Sequence, residues 1–233
     1  MAGNGTPRPL LLTLVTLTVV SGLVDAVCYL GLGRVFTANM TGNLVVLGFA
    51  AAGAAGFSVT ATLTSLALFL VGAFCAGWAA PRLTRRGGDR GRLLLMAMTT
   101  EACFVAAAAL IAFLQPSVAT GWPRYLVIAV LAFPMGVRNA TVRRLAVPDL
   151  TTTVLTMTLT GLAADAAVPG GEHGEAVYRR VAAVLAMLAG ATAGAAAYLH
   201  KGPALPLLVA ALIVTVTGVA FGLSRSRDGT MTT

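Results

Sequence analysis

Asp25 and Glu101 are carboxylic acids set well inside long apolar runs. Each could bind a cation, a proton or the amine of a solute. An acid at the centre of a membrane span costs roughly 2.5–3.5 kcal/mol on insertion scales, so it must face protein or water. Asp25 is followed by FTANMTGN, residues 36–43, where Thr37, Asn39, Thr41 and Asn43 crowd uncharged donors and acceptors between two apolar stretches. Backbone that leaves the helix inside lipid must find partners for each N–H and C=O. Short Thr and Asn side chains can supply them locally. Asn39 or Thr37 could also cap a helix starting near Thr41, and Gly42 would admit another backbone closely. Two readings stay open. In one, a helix N-terminus inside the membrane offers free N–H groups to an anion or polar solute. In the other, the stretch is a well-capped loop, and Asp25 only accepts hydrogen bonds from its Thr and Asn.

A second polar cluster is LTTTVLTMTLTGL, residues 150–162, with six threonines between 151 and 160. It adds Thr153 and Thr156 as candidate solute contacts, with Asn139 upstream in the place that Asp25 holds in the first half. Glu101 and Arg138 fall at similar depth and could form an intramembrane ion pair, acting as a gate or as a structural tie. Cys28, Cys75 and Cys103 lie in apolar runs at no metal-ligand spacing and read as small buried hydrophobes. No HExxH, GxSxG, P-loop or paired catalytic acids are present, so neither an enzyme nor a cofactor is expected.

The elements that hold these residues follow from composition. The 233 residues are 58% hydrophobic and 10% charged, against about 25% charged in a soluble domain. Too little polar surface exists to cover a globule in water. The expected fold is all-α and integral to a membrane, with six transmembrane helices near 9–31, 59–80, 92–115, 122–146, 177–199 and 203–223. Each is long enough for a core of ~30 Å. The first run is too long for a signal-peptide h-region and is kept as a span. Segments 41–56 and 151–168 are apolar on balance but short, rich in Thr, Gly and Asn and flanked by polar residues, and read as re-entrant or broken. The net charge of +8 does not point to nucleic acid, because the arginines cluster at span ends. With six spans and a cytoplasmic N-terminus, thirteen of the sixteen basic residues fall inside and three, Arg34, Arg124 and Lys201, outside. If both short segments crossed, the best split would be ten to six. The positive-inside rule therefore favours six spans, both termini cytoplasmic, in the cytoplasmic membrane.

The halves echo each other. GLVD at 22–25 precedes TGNL at 41–44, and GVRN at 136–139 precedes TMTL at 156–159, offsets of 114 and 115 residues. Each pair is followed by two long spans. Three crossings per half make the second copy inverted, so repeats are expected at about 10–115 and 122–223. Short interrupted segments at matching positions of two halves point to a transporter-like site. A small-solute or ion transporter or channel is expected, with a non-transporting assembly or lipid-interacting protein as the alternative. LAGATAGAAA carries Gly190 and Gly194 for close helix packing, within one subunit or in a homo-oligomer.

SGLVDAVCYLGLGRVFTANMTGNLVVLG and MGVRNATVRRLAVPDLTTTVLTMTLTGLAAD together resemble the bacterial YoaK family, also called DUF1275. The resemblance covers nearly the whole chain and implies a multi-pass bacterial membrane protein. It implies no activity or substrate. The family's second motif often carries Gln before its Asn; here that position is Arg138.

Overall fold

The computed structural model describes residues 8–85, 90–115, 118–145, 155–166 and 174–230. Among them the chain forms eight helices: α1 (Arg8–Gly31), α2 (Met40–Ala51), α3 (Val59–Arg85), α4 (Arg90–Leu114), α5 (Gly121–Leu145), α6 (Leu155–Ala166), α7 (Gly174–Lys201) and α8 (Ala204–Thr230). All but α2 and α6 are long and apolar enough to cross a membrane, six in number. The two short helices have twelve residues each, or ~18 Å at 1.5 Å per residue, well below a bilayer core. Phe74, Trp78, Phe113 and Trp122 stand exposed on the outer surface, as lipid allows and water does not. The fold is all-α and integral to a membrane.

The helices end where the backbone turns left-handed. After α1, Gly33 and Arg34 have φ of 97° and 58°. The Arg34 guanidinium lies over the Phe57 ring, which holds the strained residue. After α2, Gly53 has φ of 80°, and Gly53 N–H and Ala54 N–H donate to Ala50 O and Phe49 O, closing the last turn.

Packing follows one pattern. α3 lies along α5, α1 along α7, and α4 along α8; α4 also meets α5, and α8 meets α1. Helix α2 rests on α3, and α6 on α7. The most enclosed helices are α1 and α5, with 61% and 56% of their apolar stretch buried, against 22% for both α3 and α7. Lipid gives no hydrophobic drive between helices, so close approach at small residues must hold them. Gly22 faces the backbone of Met187 and Ala191, and Gly136 that of Phe69 and Ala73. Gly190 faces Val19 and Gly194 faces Leu23. The small-residue face of α7 is thus used within the subunit, and α1 and α7 run parallel. Gly91 meets Arg225, Gly222 meets Leu95, and Gly218 meets Met98. Numbers rise on one helix as they fall on the other, so α4 and α8 are antiparallel.

One expectation about the cysteines is corrected. Only Cys28 is buried; Cys75 and Cys103 are exposed. A helix bathed in lipid is apolar on its outer face too, so hydrophobic character alone does not place a residue inside.

Candidate functional site

The first polar stretch is a fold-back clamp. After α1 ends, residues 32–39 leave the helix. Thr37 N–H and Ala38 N–H donate to Asp25 Oδ1 at 2.7 and 2.9 Å, and the Thr37 hydroxyl donates to the same oxygen at 3.2 Å. Asn39 Nδ2 donates to Oδ2 at 2.9 Å. Asp25 lies six residues before Gly31, so the chain returns ~9 Å along α1 before α2 begins. That is the geometry of a re-entrant segment.

Asn43 closes the other side. It accepts Phe36 N–H at 2.8 Å and donates back to Phe36 O at 2.7 Å. Ser65 of α3 also donates to Phe36 O, at 2.6 Å, and Asn43 Nδ2 reaches Ser65 Oγ at 3.1 Å. The non-helical backbone at 36–38 is therefore carried by side chains from three elements: Asp25 on α1, Asn43 on α2 and Ser65 on α3. The polar residues are dense here because the backbone is unpaired here.

Two local expectations change. Asn39 is the residue before α2, but its side chain makes no capping bond; it is turned to Asp25 instead. Gly42 faces the Phe36 ring and not a second backbone. The carboxylate of Asp25 sits beside the start of α2, where the helix dipole favours an anion. The protein's own acid fills that role. Asp25 is 4% exposed, and Thr37 and Asn43 are fully buried. Thr41 points outward.

In the second half, Asn139 is half-buried. Asn139 Nδ2 donates to Met135 O at 2.8 Å, one turn back on α5. Thr156 is exposed, and its carbonyl accepts the Thr160 hydroxyl. Thr153 lies outside the described residues. Thr158 is buried and was not among the expected contacts. The offset of 115 that relates Thr41 to Thr156 also relates Asn43 to Thr158, and that was the available signal.

Glu101 and Arg138 are brought together. Arg138 Nη1 donates to Glu101 Oε1 at 2.6 Å, with side chains 3% and 0% exposed. The same guanidinium reaches α1: Nη1 lies 3.2 Å from Leu17 O, and Nη2 donates to Ser21 Oγ. Glu101 Oε2 is buried and has no hydrogen-bond partner among the described residues. Ser21 was not expected here. Its small size and its place one turn before Asp25 were the only hint. Arg138 thus ties the central helices of the two halves to each other and to α4. Among the described residues no cluster of His, Cys, Asp or Glu could hold a metal.

Residues 13–220 match the family model described as "Protein of unknown function (DUF1275)". The chain is 35% identical to the UPF0700 transmembrane protein YoaK of Bacillus subtilis (strain 168) over 159 residues, 68% of this chain and 67% of that protein. No solved structure matches. With multiple spans, a re-entrant clamp and a family match across most of its length, the chain belongs to the DUF1275 family of membrane proteins.

Proposed function

We propose that the protein moves a small solute or an ion across the cytoplasmic membrane, using two inverted repeats at about 10–115 and 122–223. The observation that carries this reading is the exchange symmetry of the packing. Swapping α1–α4 with α5–α8 turns every major contact into another: α1 on α7 becomes α5 on α3, α8 on α1 becomes α4 on α5, and α2 on α3 becomes α6 on α7. Gly22 against Met187 and Ala191 becomes Gly136 against Phe69 and Ala73. The pair α4 and α8 maps onto itself and is antiparallel. A two-fold axis in the membrane plane makes such a self-pair antiparallel, whereas an axis along the normal makes it parallel. Inverted repeats of this kind place substrate sites at the repeat interface, near interrupted helices.

In this reading the solute passes between the two short segments. Asn39 and Thr41 border one side, and Asn139 and Thr156 the other. Asp25, Thr37 and Asn43 shape the first segment from within. Both termini face the cytoplasm in this reading, which the thirteen-to-three division of basic residues supports. No cofactor and no catalytic chemistry are assigned.

A second reading, a non-transporting assembly or lipid-interacting protein, is favoured by one observation: both oxygens of Asp25 accept from protein donors, three on Oδ1 and one on Oδ2. Flux into proteoliposomes decides between them. A panel of monovalent cations, anions, amino acids and sugars should include at least one solute taken up faster than by empty liposomes. Uptake equal to empty liposomes across the panel would favour the second reading.

A further inference from the structure

We propose that Glu101 is a proton-binding site and that its protonation releases Arg138 from the seam between α1, α4 and α5. The carboxyl group is fully buried, and its two oxygens are treated unequally. Oε1 takes a single point contact from Arg138 Nη1, and Oε2 meets no donor among the described residues. A structural Arg–carboxylate tie is commonly a two-pronged fork. Here the guanidinium divides its donors among Glu101, Ser21 Oγ and Leu17 O.

Apolar side chains occupy the neighbouring turns. Met98 and Val105 lie one turn away on either side on α4, and Met135 one turn before Arg138 on α5; all are buried. Other charges stand far off. Arg225 of α8 meets Gly91, ten residues or ~15 Å along α4 from Glu101. On α3 the first charge is Arg82, stacked on Trp78 near the helix end. On α1, Asp25 is bound into the clamp at 37–39. Arg138 is thus the charged group that faces Glu101.

A buried oxygen without a donor is costly while it carries charge. A proton on Oε2 neutralises it and needs no space. The consequence falls on Arg138, because a buried guanidinium that keeps hydrogen bonds to Ser21 and Leu17 but loses its counter-charge is costly. Proton uptake therefore requires Arg138 to leave its place or water to enter, and either change opens the contact from α5 to Ser21 and Leu17. This release deepens the transport reading and rests on it; the proton site does not.

Infrared difference spectra of the full chain in lipid nanodiscs, taken between neutral and acidic buffer, test the site without any solute. A protonated-carboxyl stretch should grow on acidification, and its high-wavenumber part, that of a carboxyl with few hydrogen bonds, should be missing from Glu101→Gln. A second measurement guards against misfolding of that variant. The chain has three glutamates, Glu101, Glu172 and Glu175. With Glu172→Gln and Glu175→Gln, a carbon-13 glutamate label reports on Glu101 alone, and the labelled carboxyl stretch should appear with acid. A labelled carboxylate signal that stays unchanged across that range overturns the proposal, as does a high-wavenumber band that survives Glu101→Gln. The reading of transport is judged apart. For any solute taken up, Glu101→Gln should abolish acid-driven accumulation and spare solute exchange. Absence of all flux with the labelled band present would overturn transport and leave the proton site standing.

Discussion

At the scale of single residues, the clamp shows what an acid inside a membrane helix can be for. Asp25 was legible as a costly group that must be paired, and Thr and Asn were legible as its neighbours. Its principal donors were not. They are the backbone N–H groups of Thr37 and Ala38, which every residue carries, so no side-chain pattern announces them. Only the cap expected of Asn39 is absent, and for a related reason: a good capping residue next to a carboxylate has two possible partners, and charge-assisted bonding to Asp25 wins. Substitution separates the roles of charge and acceptor. Asp25→Asn keeps an oxygen for the two backbone donors, and the Asn39 amide can flip to accept from the new NH2 group. Its unfolding midpoint in detergent should stay near that of the parent. Asp25→Ala strands two buried N–H groups, which costs about 2–6 kcal/mol at ~1–3 kcal/mol each. If Ala and Asn were equally tolerated, the carboxylate would not be what supports residues 36–38.

At the scale of elements, the six long helices and the two short ones follow from run length and polarity, but the partners of each helix do not. A lipid-facing surface is as apolar as an interior, so hydrophobic periodicity fades and the buried face goes unmarked. Close-packing glycines mark it instead. The motif at Gly190 and Gly194 was visible, whereas Gly22, Gly72 and Gly136 sit singly and show their role only beside the backbones they touch. Alanine tests each crossing. A Cβ at Gly136 would meet the backbone of Phe69 and Ala73, and one at Gly72 the backbone of Phe133 and Val137. Carbonyl groups of a neighbouring helix cannot rotate aside, so the helices must separate. Gly136→Ala and Gly72→Ala should each destabilise by about 1–3 kcal/mol, measured by thermal unfolding in nanodiscs. The double variant should cost less than the sum, because one separation relieves both clashes. Gly77 on α3 has open space around it, and Gly77→Ala should be neutral or stabilise by about 0.5–1 kcal/mol. Equal effects at all three positions would mean that the crossing of α3 and α5 does not depend on its glycines.

At the scale of the whole molecule, composition pointed to lipid, and the base count pointed to the way the chain runs through it. In the proposed orientation, six crossings put the arginine-rich turn between α3 and α4 on the cytoplasmic side, and the turns after α1 and α4 on the other. The packing bears on the same question from a different direction. Eight crossings would make α4 and α8 parallel, since four helices would separate equivalent positions. Six crossings make them antiparallel, which is the register given by Gly91 with Arg225 and Gly218 with Met98. Charge distribution and helix direction are independent properties of the chain, and they agree. Single cysteines, introduced after Cys28, Cys75 and Cys103 are replaced by serine or alanine, test the arrangement in intact cells. A membrane-impermeant maleimide should label cysteine at position 34 or 120 from outside, and should label 87, 145 and 229 only after the membrane is opened. Position 87 is the most demanding, because Arg82, Arg85, Arg86, Arg90 and Arg92 surround it. Moving five cations across the bilayer opposes the rule that orients the entire chain. Labelling of position 87 from outside would therefore overturn the proposed orientation, and labelling of both 34 and 87 from outside would overturn the six-span topology, since six crossings put them on opposite sides.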